Sequence, residues 1–173
     1  MPGGTHRADV WIEHTRGMQD AGHVVGTIVV GLDGSTNSHE AVHWAAGLAR
    51  ALDAEVVAVH ALGLLDRLEA DGPMVPTQPH RVEIVERANG RWVEPLVEAG
   101  VRYRVVLHDG NPIDVVLHVI DEVGADLVVL GSRGIGGSPA MLLGSTSSHV
   151  ASRSPCPVMI IPASGGSEDE QGT

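Results

Sequence analysis

Short apolar runs alternate with segments of helical periodicity along most of this chain, and this alternation constrains the fold more than any other feature. The runs are rich in Val, Ile and Leu and cover residues 27–33, 55–62, 101–107, 126–131 and 157–162. Such runs are typical of strands buried on both faces of a parallel sheet. We therefore predict a single-domain α/β fold, in which an open parallel five-stranded sheet carries helices on both faces, as in Rossmann-like proteins.

The segments between the runs predict the helices. In 38–52, apolar side chains recur at helical spacing, which predicts a buried stripe made of Ala41, Trp44, Ala45, Leu48 and Leu52. Residues 81–100 have a helical pattern that ends in Gly100, a suitable residue after a helix C-terminus. A third helix should begin at Asn111 and Pro112, an N-cap residue followed by a first helical residue. A fourth should cover about 145–152, whereas 63–79, with three prolines, predicts a loop or a partly helical linker.

The two ends of the chain differ from its centre. Residues 1–23 show no sustained period and predict a flexible N-terminal extension. Residues 163–173 consist mainly of Gly, Ser and acidic residues, which predicts a disordered acidic tail. The folded domain is therefore expected to cover residues 24–162.

Charge and composition exclude several classes of function. The formal net charge is −11, which argues against nucleic acid as a partner because phosphate neutralisation needs a basic surface. Every basic residue other than His is Arg, so no lysine is present for a P-loop or a Schiff base. No apolar run reaches the roughly 18 residues of a membrane span, and the N-terminus lacks a signal peptide's apolar region. We expect no membrane partner and a cytoplasmic location.

The stretch GSRGIGGSPAMLLGSTSSHV, residues 131–150, carries five glycines and follows the fourth apolar run. A Walker A loop fails there because Gly137 stands where its lysine belongs. A GxGxxG dinucleotide fingerprint is also a poor fit, because Pro139 replaces its last glycine. Gly131 and Gly134 would let backbone N–H groups approach an anion, and Gly144 and Ser145 stand where a helix begins. The stretch therefore predicts a phosphate site.

Gly131-x2-Gly134-x9-Gly144-Ser145 matches the G-2x-G-9x-G-[S/T] motif of ATP-binding universal stress proteins. The chain resembles that family over about residues 25–162. Further similar features are VVGLDGS, AVHAL, the GNP turn, DLVVLGSRG and SPCPVMII, in the same order. We identify the chain by resemblance as a member of the ATP-binding branch.

The resemblance implies a strand order of 3-2-1-4-5 and one nucleotide site at the point where that order reverses. Asp33 would contact the ribose hydroxyls or a bridging Mg²⁺ or Mn²⁺, and the Ala61 backbone would meet adenine. The nucleotide-binding residues implied in this way are Gly31, Leu32, Asp33, Ala61, Leu130, Gly131, Ser132, Arg133, Gly134, Gly144, Ser145 and Thr146. No catalytic residue is implied.

We expect a binding module for ATP, with AMP or cyclic AMP as alternative ligands, that acts in stress response or regulation. The apolar edge strand 158–161 should form a homodimer, as in family members. One alternative is a slow ATPase or other nucleotide hydrolase, for which Asp33 and Arg133 are the candidate groups. Another is a member that binds no nucleotide and acts through protein contacts alone.

Simpler interpretations stand beside some of these residues. The simpler interpretation of Asp33 is a cap of the turn DGSTNS, and Asp109 is more consistent with a turn than with a catalytic dyad. His39 and His43 share a helix face without an evident third metal ligand, and His60 is interpreted as structural. Trp44 and Trp92 are predicted to be core or groove residues. Cys156, the only cysteine, is predicted to be a packing residue.

Overall fold

The structure is a computed structural model that describes residues 24–62, 78–134 and 143–162. Its strands are β1 (Thr27–Gly31), β2 (Glu55–Ala61), β3 (Tyr103–His108), β4 (Leu127–Gly131) and β5 (Val158–Ile161). Its helices are α1 (Thr36–Leu52), α2 (Gln78–Asn89), α3 (Glu94–Ala99), α4 (Pro112–Val123) and α5 (Ser145–Arg153). One turn of 3-10 helix, Arg91–Val93, lies between α2 and α3.

The five strands form one parallel sheet with the order β3-β2-β1-β4-β5, which confirms the predicted fold class and strand order. β1 lies at the centre, where Val30 is in register with Ala58 of β2 and with Val129 of β4. The chain leaves β1 toward β2 on one side and later returns to β4 on the other. This reversal opens a crevice at the carboxyl ends of β1 and β4.

The sheet has a separate apolar core on each face. On one face, the sheet packs against α1 and α2, while α3 and the 3-10 turn pack against α1, and this core includes Trp92. On the other, it packs against α4 and α5. The central strand is fully buried from Ile28 to Val30, which is the environment that its β-branched sequence predicted.

Helices begin and end at residues suited to those positions. Asn111 caps α4, because its side chain accepts a hydrogen bond from Ile113 N at 2.8 Å. Three helices end in residues with left-handed backbone conformation: Asp53 after α1, Gly100 after α3 and Gly124 after α4. Each leads within four residues into the next strand, so the turns at this end of the sheet are short.

Two predictions about the helices were wrong. Residues 81–100 are not one helix, because the chain breaks at Gly90 (φ −118°, ψ −110°) into α2, the 3-10 turn and α3. Trp44 and Leu52 are 54% and 45% exposed, so they are not part of the buried stripe of α1. That stripe consists instead of small residues, which bring the helix close to the sheet: Ser38, Ala41, Val42, Ala45, Ala46 and Ala49.

Four parts of the chain are not described: the N-terminal extension (1–23), most of the linker (63–77), the interior of the glycine-rich stretch (135–142) and the acidic tail (163–173). The predictions made for them lie outside the described residues. Within the described part of the chain, no helix is both long and apolar enough to cross a bilayer.

Candidate functional site

A cavity of ≈ 500 Å³ opens at the crevice between the carboxyl ends of β1 and β4. Eleven of the twelve predicted nucleotide-binding residues line it: Gly31, Leu32, Asp33, Ala61, Leu130, Gly131, Arg133, Gly134, Gly144, Ser145 and Thr146. Residues that are more than 100 positions apart in sequence therefore share one cavity. The twelfth, Ser132, is 5% exposed and does not line it, and its backbone N–H donates to Ile161 O at 2.7 Å.

Asp33 lies just beyond β1 and has two structural tasks. Its Oδ1 accepts hydrogen bonds from Ser35 N at 2.9 Å and Ser35 Oγ at 2.6 Å, so the carboxylate does cap the turn that precedes α1. Its backbone N–H donates to Ser38 Oγ at 3.1 Å. Asp33 also lines the cavity, so the turn-capping interpretation and the binding interpretation are compatible.

Three glycines of the predicted phosphate motif have different local reasons to be glycine. A Cβ on Gly131 would lie 2.7 to 2.9 Å from Asn37, including backbone atoms of α1. A Cβ on Gly134 would collide with Oδ2 of Asp33. A Cβ on Gly144 would meet only ordinary contacts, the nearest being Arg133 Cα at 3.5 Å. The fold therefore demands glycine at 131, whereas at 144 a side chain would fill space within the cavity.

The N-terminus of α5 supplies the donors on one side of the cavity. The first N–H groups of any α-helix lack partners within the helix, and Gly144, the N-cap residue of α5, supplies no side-chain acceptor for them. The first turn contains no acidic residue, and Ser145 and Thr146 add hydroxyl groups. Ser147 Oγ donates to Gly131 O at 2.7 Å, which ties the start of α5 to the end of β4. This arrangement suits an anion.

Arg133 is the described cation at the cavity wall. It is partly buried, and its backbone carbonyl accepts a hydrogen bond from Asn37 Nδ2 at 3.2 Å. The loop after β4 is thus held against the N-terminal part of α1.

His60 packs behind the β1 loop, on the opposite sheet face from Val59 and Ala61, because successive side chains of a strand alternate between faces. Its Nδ1 lies 2.7 Å from Leu32 O, and its ring makes an edge contact with Trp92. Burial lowers the pKa of His60, while its hydrogen bond to Leu32 and the charge of Asp33 oppose that shift. His60 therefore contacts the β1 loop from outside the cavity, which is compatible with the structural interpretation.

The structure adds five cavity residues that the sequence reasoning missed: Ser38, Val59, Pro112, Val116 and Ser147. Pro112 and Val116 belong to the first turns of α4. The sequence held a signal for these two residues: α4 follows β3 as α5 follows β4, so both helices begin at the carboxyl edge of the parallel sheet, where the cavity lies. Ser38 and Ser147 are buried serines whose hydroxyls bond to the carbonyl of Gly31 and of Gly131.

The remaining polar candidates lie elsewhere. The rings of His39 and His43 contact each other with centroids 4.7 Å apart, and the described residues contain no group of three or more metal-ligating side chains. Asp109 forms an exposed ion pair with Arg81 at 3.1 Å. Trp92 is buried, as predicted, with 8% exposure.

Comparisons with known proteins agree with this geometry. The family profile described as the universal stress protein family matches residues 25–162. A universal stress protein of Bacillus subtilis, YxiE, is 31% identical, with 78% of this chain and 97% of that protein covered. One of Thermus aquaticus is 30% identical with the same coverage. A solved universal stress protein in complex with cAMP is similar at a TM-score of 0.63 and 29% identity, covering 80% of this chain and 98% of that one.

Proposed function

Because this chain belongs to the universal stress protein family, we propose that it is an adenine-nucleotide-binding regulatory protein of the cytoplasm that acts in stress response. ATP is the first candidate ligand, with AMP and cyclic AMP as alternatives. The observation that carries the proposal is that the glycine loop, the α5 N-terminus and Asp33 line one cavity.

The phosphate groups would lie between Gly131, Gly134 and the start of α5. Backbone N–H groups, two hydroxyls and the positive end of the helix dipole converge there, so phosphate can be bound without lysine. Arg133 would add positive charge, which matters more for ATP than for AMP because a triphosphate is more negative than a monophosphate.

The nucleoside would extend from Asp33 toward Ala61. A carboxylate at the Asp33 position can accept hydrogen bonds from both ribose hydroxyls, and the partly buried end of β2 at Ala61 would offer backbone groups to adenine. The cAMP complex of a 29% identical family member supports an adenine nucleotide as the ligand class.

Asp33 is also the proposed protein ligand for Mg²⁺ or Mn²⁺. One carboxylate together with nucleotide phosphates and water suits Mg²⁺, which prefers oxygen and retains several waters. The ion would neutralise phosphate charge, and the chain's own contribution would be the carboxylate oxygen of Asp33.

The quaternary proposal is a homodimer formed through β5, residues 158–161. Among the described strands, β5 has β4 as its only neighbour, and its Val158, Met159 and Ile160 are partly buried apolar residues. An apolar edge strand can pair with the same strand of a second copy. A monomer mass at micromolar concentration by light scattering, with and without ATP, would contradict the dimer.

Isothermal titration with ATP, AMP and cyclic AMP, with and without Mg²⁺, tests the ligand. We expect saturable binding of at least one, and binding of none refutes the proposal. Gly134→Val should weaken ATP binding, because any side chain at that position collides with the Asp33 carboxylate. Phosphate release that disappears in Asp33→Ala would instead favour the hydrolase alternative.

A further inference from the structure

The loop that carries Asp33 is fixed from behind by two consecutive residues of β2, Val59 and His60. Leu32 N donates to Val59 O at 2.7 Å, and Leu32 O lies 2.7 Å from His60 Nδ1. Both backbone groups of the residue before Asp33 are thus bonded to consecutive residues of β2. We propose that His60 and Trp92 are positioning residues that hold Asp33 at the ribose and so set the preference for ligands with free ribose hydroxyls. This inference rests on the proposed function.

The bond between His60 and Leu32 has a defined direction. A carbonyl oxygen only accepts hydrogen bonds, so His60 Nδ1 must carry the proton. The neutral ring needs only this one proton, which agrees with the burial that lowers the pKa of His60. His60 therefore acts on the loop as a hydrogen-bond donor with a single required tautomer.

Trp92 fills the space behind the residue that follows Asp33. Gly34 has φ +80°, and a Cβ there would lie 2.6 Å from Trp92 Cζ2 and 2.9 Å from Nε1. The indole thus contacts the Gly34 backbone closely, and its ring meets that of His60 at a centroid distance of 5.1 Å. The two rings support one another and contact the residues on either side of Asp33.

His60 and Trp92 are not among the described residues that line the cavity. Trp92 belongs to the core on the α1 side of the sheet and contacts the ring of His60, whereas the neighbours of His60 in β2, Val59 and Ala61, line the cavity. Any effect on nucleotide binding must therefore be transmitted through the loop. A carboxylate that moves by about 0.5 Å loses much of a directed hydrogen bond, so such support determines how well a site works.

The test measures the ratio of two dissociation constants, that of 2′,3′-dideoxy-AMP divided by that of AMP. A carboxylate that accepts the ribose hydroxyls makes this ratio about 10 or more in the wild type. His60→Leu removes the donor and should bring the ratio close to the value for Asp33→Ala. His60→Asn is the matched control, because its Nδ2 can replace the imidazole Nδ1 as a donor and should retain most of the ratio.

Further variants separate positioning from loss of the fold. His60→Leu added to Asp33→Ala should change the ratio no further, because the two residues act through the same contact. Trp92→Phe lacks the atoms that contact Gly34 and should lower the ratio several-fold while affinity for dideoxy-AMP stays near the wild-type value. A fall in affinity for both ligands by the same factor would overturn the positioning role, since that is the result of general loosening.

The outcomes distinguish this inference from the function on which it rests. Where ATP binds and AMP does not, the same ratio is measured with 2′,3′-dideoxy-ATP and ATP. If Asp33→Ala leaves the ratio unchanged, the proposed ribose contact is wrong and the inference falls with it, and if no adenine nucleotide binds, the proposed function fails as well. If Asp33→Ala abolishes the preference and neither His60→Leu nor Trp92→Phe lowers it, only the inference is overturned. NMR of the ¹⁵N-labelled imidazole needs no ligand, and a His60 ring that is protonated on Nε2 and not on Nδ1 at neutral pH would also overturn the inference.

Discussion

Replacing Gly131 and Gly144 by alanine separates what the fold requires from what the ligand requires. In Gly131→Ala the new methyl group would lie 2.7 to 2.9 Å from C, O and Cβ of Asn37 in α1. Helix backbone cannot rotate away as a side chain can, so β4 and α1 must move apart. Overpacking of this kind costs about 1–3 kcal/mol, and the backbone contact indicates the upper part of that range.

For a domain of this size, 2–3 kcal/mol corresponds to a decrease in Tm of roughly 5–10 °C. In Gly144→Ala the methyl group meets nothing closer than 3.5 Å, and φ is −69°, so the cost is only about 1 kcal/mol for a poorer N-cap. That methyl group, however, lies near Arg133 Cα and Gly134 N in the proposed phosphate site. We expect ATP affinity to fall about tenfold, which equals the loss of one charge-assisted hydrogen bond.

The two variants should therefore rank in opposite order in two assays. Urea or thermal unfolding should show Gly131→Ala as the less stable, and titration calorimetry below its Tm should show Gly144→Ala as the weaker binder per folded molecule. A Gly131→Ala protein with wild-type stability would refute the close approach of β4 to α1. A Gly144→Ala protein with wild-type affinity for ATP would show that phosphate does not occupy the space beside that residue.

Three further predictions concern titration and single hydrogen bonds. Because burial lowers the pKa of His60 below the unfolded value of about 6.5, the unfolded chain takes up a proton that the folded chain resists. The free energy of unfolding should thus decrease below about pH 6.5 more in the wild type than in His60→Asn, and parallel urea-derived pH curves would contradict this. Ser147→Ala removes the donor to Gly131 O and should cost about 1 kcal/mol by urea unfolding, whereas Ser148→Ala, one residue further and exposed, should cost much less. Asn111→Ala removes the N-cap of α4 and should also cost about 1 kcal/mol, and Asn111→Ser should recover most of it.

The strands and the position of the cavity could be predicted because their signals are local. Runs of Val and Ile specify buried strands, and the strand order follows once the family is recognised. Five predicted strands and the helices α1, α4 and α5 are found within about two residues of their expected ends.

The features that could not be predicted depend on contacts between distant segments. Trp44 has the right spacing for a buried stripe, but the small residues beside it bring α1 so close to the sheet that the indole remains outside. The break at Gly90 is followed by Trp92, which is buried and contacts Gly34, a residue from a distant part of the sequence. The bond from His60 to Leu32 requires the register of β1 against β2, which no local pattern contains.

The connections at the two ends of the sheet differ in how readily they can accept insertions. At the end away from the cavity, Asp53, Gly100 and Gly124 each reverse the chain in a left-handed conformation within a few residues, so an insertion there would disturb both the helix cap and the following strand. At the cavity end, the connections from β2 to α2 and from β4 to α5 are much longer, at 62–77 and 132–144. Sequence changes that alter binding while the sheet stays intact are therefore expected at the cavity end of the sheet rather than at these three turns.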